Sequence, residues 1–352
     1  MKIVYLTYMQ ILQFTDKGIY CPAGNFFIDP WQPVERAVIT HAHSDHARYG
    51  SKHYLCHKDS VPLLLLRLGP DISIQGVEFG ETISYNGVSI SLHPAGHVIG
   101  SAQVRVQQDN EVWAVSGDYK TENDGLSGQF EPVPCNTFIT ECTFGLPIYN
   151  WQPQNIIFDN IRQWIYNNQQ AGKNSVLLGY SLGKAQRLLY HLRDTTEQIW
   201  AHGAIYITNQ LLRQQGWPLP DLQRITPETP ASVYKNNLVI GPPSAADTTW
   251  MRRFNPYSLG VCSGWMQVRG HMRRRNADAG FVLSDHADWN GLLQAVKATG
   301  AEQVYTTHGF SSAFARYLTE NGIPAQEVKT AYGDMDEEPA ETASPHNNEE
   351  GL

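Results

Sequence analysis

HAHSDHARYG, residues 41–50, places three imidazoles and a carboxylate, those of His41, His43, Asp45 and His46, within six positions. A strand-like apolar run, Ala37-Val38-Ile39, leads straight into it. His41 and His43 are two residues apart, so a strand end or tight turn points both the same way. Asp45 and His46 then sit on the turn that follows and can face a neighbouring point. One short segment can thus supply ligands to two adjacent metal ions. A solvated histidine-rich loop is the ordinary alternative, but HxHxDH behind a buried-looking strand is an uncommon form of one.

The 352 residues, 41% of them hydrophobic, suffice for one large domain or two of moderate size. No apolar run approaches membrane-spanning length; the longest concentrated one, Val61 to Leu68, is interrupted by Pro62 and Arg67. The opening MKIVYLTYMQ has one lysine and no small-residue cleavage pattern, so no signal peptide is expected. The chain reads as soluble and cytoplasmic, with no membrane partner. Its five cysteines, Cys21, Cys56, Cys135, Cys142 and Cys262, include no CxxC pair, which predicts buried free thiols rather than a disulfide framework. The net charge of -8 is unevenly placed: seven acids and no Lys or Arg fall between Gly333 and the end, leaving 27 acidic against 26 basic residues elsewhere. That tail, residues 333–352, also holds Pro339 and Pro345 and is expected to be disordered. The acidic total therefore says little against a nucleic-acid substrate.

The first part of the chain reads as short strands joined by turns: Phe26-Ile28, Ala37-Thr40, His53-Cys56, Val88-His93, Ala102-Val106, Val112-Ser116 and Phe138-Thr140. One helix, around Lys58 to Leu68, interrupts them, and Tyr85-Asn86-Gly87 and Asp109-Asn110 suit hairpins. After Glu141 the character changes. Gln154 to Gln169 has helical spacing, with Ile157, Ile161, Trp164 and Ile165 on one face. A buried strand, Ser175-Tyr180, a helix from Lys184 to Leu192 and a strand at Leu238-Ile240 make a βαβ-like segment. A strand near Phe281-Ser284, a helix Trp289 to Thr299, a strand Gln303-Thr307 and a helix Ser312 to Asn321 complete the ordered part. The pattern is one α/β domain split in sequence by an α/β insertion.

Further polar residues stand where strands end, which is where α/β folds place their sites. His97 follows a strand in HPAGH, and Asp118 follows one in SGDYK. Glu141 ends Phe138-Thr140, His286 follows Phe281-Ser284 in LSDHAD, His308 follows Gln303-Thr307, and Asp29 closes Phe26-Ile28. Singly, each suits a capping acid or a satisfied histidine. Together with HxHxDH they favour one shared site. Imidazole and carboxylate ligands suit Zn²⁺, with Mn²⁺ tolerated by the same donors. Two ions about 4 Å apart generate a nucleophile at neutral pH and neutralise charge on a phosphoryl transition state.

HAHSDH, His97, Asp118 and His308 resemble the ligand motifs of the metallo-β-lactamase superfamily. Glu141 and His286, placed around an inserted α/β segment, resemble the β-CASP nucleases, which include the mRNA 3′-end-processing endonuclease, ribonuclease J and the Artemis-type DNA nucleases. The runs CPAGNFFIDPW, PAGHVIGSAQV, TECTFGLPIYNW, YSLGKAQRLL and FVLSDHADW are similar to putative bacterial exonucleases associated with a DNA ligase, and the likeness extends from about Tyr20 to Gly309. It implies a four-layer αββα fold over residues 1–146 and 281–332, with a β-CASP insertion at 147–280. It also implies two divalent ions, with His41, His43 and His97 on one, Asp45, His46 and His308 on the other, and Asp118 bridging. By the same resemblance Asp29 would orient the ligand shell and Glu141 would steady His286. His286 would contact the scissile phosphate or protonate the leaving oxygen. The implied reaction is in-line attack by a bridging hydroxide, leaving a 5′-phosphate and a 3′-hydroxyl. A functional link to a DNA ligase and a helicase is implied by the resemblance alone.

Between Thr248 and Ala277 lie six arginines, among them Arg269, Arg273, Arg274 and Arg275, and no acids. They read either as a solvated basic face or as a track for phosphates. Ser181-Leu182-Gly183-Lys184 opens a helix after a strand, so Ser181, Gly183 and Lys184 are expected to hold a phosphate through backbone N–H groups. Trp151, Trp265 and Trp289 suit base stacking or, more ordinarily, buried packing. The leading expectation is a metal-dependent DNA exonuclease acting in repair. His308 stands where Artemis-type DNA nucleases typically carry valine and RNA-processing members histidine, which makes a ribonuclease the alternative. A small-substrate metallo-hydrolase needs neither the insertion nor the arginines. A non-catalytic binding subunit would be expected to lack ligands that are all matched here.

Overall fold

In the computed structural model, which describes residues 10–268 and 276–330, the strands fall into three sheets. The first is built in chain order from β1 (Gln13–Thr15), β2 (Gly18–Cys21), β3 (Phe26–Ile28), β4 (Arg36–Val38), β5 (His53–His57) and β6 (Ile74–Val77). β3 to β6 run parallel. The second sheet takes β7 (Thr82–Tyr85), β8 (Val88–Pro94), β9 (Ala102–Gln108), β10 (Glu111–Val115) and β11 (Thr137–Glu141). It continues with β18 (Gln303–Thr307) and β19 (Ala325–Glu327), so β11 is flanked by strands from both ends of the sequence. Asn86 and Gly87, both at positive φ, turn β7 into β8 with Tyr85 paired to Val88, and Asp109, also at positive φ, lies in the turn from β9 to β10.

Alternation along these strands sends one face of each inward. Ile19, Phe26, Val38 and Leu55 from the first sheet meet Val88, Ile90, Val104, Val115 and Ile139 from the second in one dry core. Ala37, Ile39, Tyr54 and Cys56, on the other face of the first sheet, pack on α1 (Val61–Leu68). The other face of the second sheet packs Ala114, Phe138 and Val304 against Leu292, Val296, Phe314 and Leu318 of the helices Trp289–Thr299 and Ser311–Glu320.

The third sheet orders β14 (Gln223–Arg224), β13 (Ile199–Ala201), β15 (Leu238–Gly241), β12 (Asn174–Leu178), β16 (Tyr257–Cys262) and β17 (Ala279–Phe281), and among the described residues all its pairings are parallel. At its centre lies β12 (Asn174–Leu178), every residue of which is buried, as a parallel strand covered on both faces requires. α2 (Gln154–Gln170) lays Ile157, Ile161 and Ile165 on this sheet, and α3 (Lys184–Leu192) adds Leu188, Leu189 and Leu192. Leu182, Leu212 and Leu219 instead join the α1 side of the first sheet, which ties the third sheet to the rest.

α4 (Gly203–Gln214) has no counterpart in the sequence reading. Its Ile205, Tyr206, Ile207 and Thr208 favour a strand locally. Burial of Ile205, Thr208, Asn209 and Leu212 at helical spacing overrides that preference, and His202 caps the Ala204 N–H. Arg269, Arg273, Arg274, Arg275 and the acidic tail lie outside the described residues. All five cysteines are free thiols, four of them buried. Among the described residues no helix is long and apolar enough to cross a membrane.

Ile161 is fully buried between α2 and the third sheet. Ile161→Ala is expected to lower unfolding stability by about 2–5 kcal/mol in a urea titration. A loss below about 1 kcal/mol would contradict this packing.

Candidate metal centre

The loops that follow β3, β4, β8, β10, β11 and β18 converge beyond the ends of the first two sheets. Asp29 leaves β3 with φ 43° and His308 leaves β18 with φ 55°, left-handed conformations that few non-glycine residues adopt. Gly309 continues at φ 62°, and a Cβ there would stand 2.3 Å from the Thr143 Cα, so the chain needs glycine to bring His308 this close.

His41, His43, His97 and Asp118 form one group of facing ligand atoms; Asp45, His46 and His308 form a second; Asp118, Glu141 and His286 form a third. Asp118 Oδ2 connects the first two. It lies 3.5 Å from His41 Nε2, 3.5 Å from His46 Nε2 and 3.7 Å from His97 Nε2. The structure thus brings every residue named as a ligand from the sequence to one place.

Hydrogen bonds on the far side of each ring decide which nitrogen faces inward. Thr40 Oγ1 uses its hydrogen on Asp29 Oδ2 (2.5 Å), so its 3.1 Å contact with His41 Nδ1 makes that nitrogen the donor. His43 Nε2 donates to the Leu182 carbonyl (3.1 Å) and His97 Nδ1 to the Asp285 carbonyl (2.8 Å). His46 Nδ1 donates to Asp29 Oδ2 at 2.7 Å. The lone pairs left on His41 Nε2, His43 Nδ1 and His97 Nε2 then face one another. His43 Nδ1 stands 3.0 Å from the first and 3.1 Å from the third.

Lone pairs at that distance repel unless a cation lies among them. Three nitrogens each about 2.0–2.1 Å from one tetrahedral ion would be about 3.3 Å apart, close to what is found. Burial first, and neighbouring imidazoles second, push His41 and His97 well below the ordinary histidine range. Burial also lowers His43 and His308. Neutral rings of this kind are the metal-binding form. At His46 burial acts the same way, but Asp118, Asp45 and Asp29 outweigh it and raise the group well above normal, marking a point that attracts positive charge. Asp118 Oδ1 is buried and has no hydrogen-bond partner among the described residues, an expensive condition for a carboxylate that no cation neutralises. The donor set fits two divalent ions.

Beside this cluster, His286 Nδ1 lies 2.9 and 3.0 Å from the two Glu141 oxygens. Glu141 is buried and also accepts from the Tyr119 N–H at 2.9 Å and the Thr143 hydroxyl at 2.5 Å. Burial disfavours a charged His286, but the Glu141 carboxylate and its hydrogen bond, with Asp118 behind, hold the imidazole up at about 9. Its ring is 4.7 Å from that of His97, which sets it beside the metal cluster.

Ser181, Gly183 and Lys184, the residues expected to hold a phosphate, lie in a buried turn. The Gly183 N–H donates to Gln186 Oε1 at 2.8 Å, Ser181 is buried, and Lys184 is buried 3.6 Å from Asp285 Oδ2. The turn packs against His43 instead of opening to solvent. Trp289 is buried against Phe314 and Tyr317. Trp151 donates its indole N–H to the His286 carbonyl at 3.0 Å, and Trp265 lies 4.8 Å from Phe144, beside the same loop.

Several contributors escaped the sequence reading. Thr40, Leu182 and Asp285 orient ligands, two of them through backbone carbonyls. Cys142 Sγ lies 3.2 and 3.0 Å from the Thr307 and His308 carbonyl oxygens, so its one S–H is shared between them at the His308 turn. Asp285 was detectable as the neighbour of His286; the carbonyls leave no mark in a sequence.

No family model matches the chain. A protein named Probable DNA ligase from Opitutus terrae is 31% identical over 315 residues, 88% of this chain and 30% of that protein. Endoribonuclease YSH1 of Eremothecium gossypii is 28% identical over 138 residues, 39% of this chain and 17% of its own length. Cleavage and polyadenylation specificity factor subunit 3-I of Arabidopsis thaliana is 28% identical over 134 residues, 37% and 18% respectively. The chain therefore spans less than a third of each of these relatives. A crystal structure of a protein of unknown function from Enterococcus faecalis V583 shares the fold, with a TM-score of 0.58 and 11% identity over 85% of this chain and 80% of that one.

Asp118→Ala removes the carboxylate between both histidine groups. It is expected to cut bound Zn²⁺ to half or less of the parent value, read by plasma mass spectrometry on desalted protein. Undiminished metal would rule Asp118 out as the shared ligand.

Proposed function

We propose, for a chain that belongs to the β-CASP group of the metallo-β-lactamase superfamily, that it hydrolyses nucleic-acid phosphodiesters at a centre of two divalent ions, with DNA as substrate and exonucleolytic action in repair. The observation that carries this reading is the Glu141–His286 pair set against a seven-ligand cluster joined by Asp118. The relatives named endoribonuclease and cleavage factor support a nuclease. A probable DNA ligase with 31% identity over most of this chain supports DNA, since ligation consumes the 5′-phosphate and 3′-hydroxyl that such hydrolysis leaves. Residues 1–146 and 281–332 are read as the four-layer αββα part and 147–280 as the β-CASP insertion.

Such ions, Zn²⁺ by preference or Mn²⁺, when bound acidify a water and neutralise phosphoryl charge. The protein's own groups do the rest. Asp29 and the Leu182 and Asp285 carbonyls hold the imidazoles in their ligating tautomers. Glu141 keeps His286 protonated on both nitrogens, so Nε2 can give its proton to the departing 3′ oxygen of the sugar while water attacks the phosphorus in line on the opposite side. Ribonuclease activity is the second reading, favoured by the endoribonuclease relatives and by a histidine, His308, in the second ligand group.

End-blocked, labelled single-stranded DNA and RNA, each digested over time with Mn²⁺ and with Zn²⁺, test the assignment. DNA shortened from one end is expected; preferential RNA cleavage with both metals would sink the DNA reading. His286→Ala is expected to abolish cleavage, on the order of 100-fold or more, with metal content near that of the parent. Full activity in that variant would refute the proton-donor role. Since the donor is the protonated imidazole, the rate is expected to fall as pH rises through the His286 pKa. Glu141→Gln should move that fall to lower pH, and an unmoved profile would dissociate Glu141 from the step.

A further inference from the structure

α3 reaches into the metal centre from the third sheet. Arg187 Nη1 donates to the Ser284 carbonyl at 2.6 Å and to Asp285 Oδ1 at 3.2 Å, while its Nη2 donates to Gln154 Oε1 at 2.9 Å. Lys184 Nζ lies 3.6 Å from the other oxygen of Asp285. Asp285 is 5% exposed and both cations 2%. Its backbone carbonyl is the one that takes the His97 Nδ1 proton, and His286 is the next residue. One turn before α3, the Leu182 carbonyl takes the His43 Nε2 proton. Two of the three imidazoles in the first ligand group are thus oriented by backbone that Lys184, Arg187 and their own turn hold in place.

We propose that Lys184 and Arg187 are positioning residues for the ion held by His41, His43 and His97, acting through Asp285 to fix the carbonyl that orients His97. The proposal rests on the two-ion reading above. A buried ion pair contributes little net stability, because the cost of removing the charges from water offsets most of their attraction. What this network does supply is a fixed position for the peptide between Ser284 and His286. The second ligand group is held from elsewhere: Asp29 bonds His46, and Cys142 bonds the His308 carbonyl. The two ions are therefore expected to respond differently when α3 loses its charges.

Zn²⁺ competition against a chromophoric chelator measures each ion, with His43→Ala and Asp45→Ala identifying which is which. Arg187→Met and Lys184→Met are expected to weaken the first ion about 10–100-fold and to leave the second within about twofold. Arg187→Lys should recover part of that loss, and Co²⁺-loaded protein should show altered ligand-field absorption in the Met variants. Asp285→Asn keeps the volume and the carbonyl and carries the same expectation should a Met variant not fold. Parent affinity in these variants overturns the proposal. So does equal weakening of both ions, or a loss matched by the remote core variant Ile161→Ala. A parent chain that binds fewer than two ions overturns the two-ion reading itself, and this proposal with it.

Discussion

Asp118 Oδ2 stands within 3.7 Å of three histidine nitrogens drawn from two different loops, and the surrounding structure serves to keep those groups dry and facing one another. Bringing so many polar atoms out of water is unfavourable unless each has a partner. The far nitrogen of each ring therefore finds a carboxylate, a hydroxyl or a carbonyl. Asp29 satisfies the Thr40 N–H, the Thr40 hydroxyl and His46 at once. Those bonds fix the tautomers, and the tautomers decide that the inward atoms are all acceptors. Such a centre invites a cation by construction.

Two kinds of charge management lie side by side here. Around the metal ligands, neutral imidazoles and carboxylates leave room for added positive charge. Around Asp285 the positive charge is built in, as Lys184 and Arg187, and no ion is called for. His286 sits between them, with Glu141 on one side and the peptide clamped by Arg187 on the other. Under the proposed function that position suits a proton donor, since its charge depends on a carboxylate that other hydrogen bonds already immobilise.

The candidate ligand cluster was legible in the sequence because its members are side chains of distinctive type in the loops that follow apolar strands. His41, His97, Asp118 and His308 all follow that rule. The third sheet was legible in outline from the apolar run at β12 and the helical face of Ile157, Ile161 and Ile165. The turn at Gly183 marks the limit of a local pattern. A Gly-Lys pair opening a helix is the local signature of a phosphate site, and the partner that changes its meaning, Asp285, is distant in sequence. Local pattern reports which residues begin a helix; it cannot report what that helix is pressed against. The orienting carbonyls of Leu182 and Asp285 were invisible for a plainer reason, since every residue has one. α4 was missed because burial, not propensity, makes it a helix.

β11 pairs in parallel with β10 on one side and with β18 on the other, Glu141 standing opposite Thr307. In a chain made from its N-terminus, one edge of β11 stays unpaired until residues 303–307 have emerged, and an unpaired edge is open to wrong partners. The strands of the third sheet are complete before then. His41, His43 and His97 all precede that point, yet the carbonyl that orients His97 belongs to Asp285, and His286 and His308 follow it. The candidate centre therefore takes its final form only once the strand that closes β11 has been made.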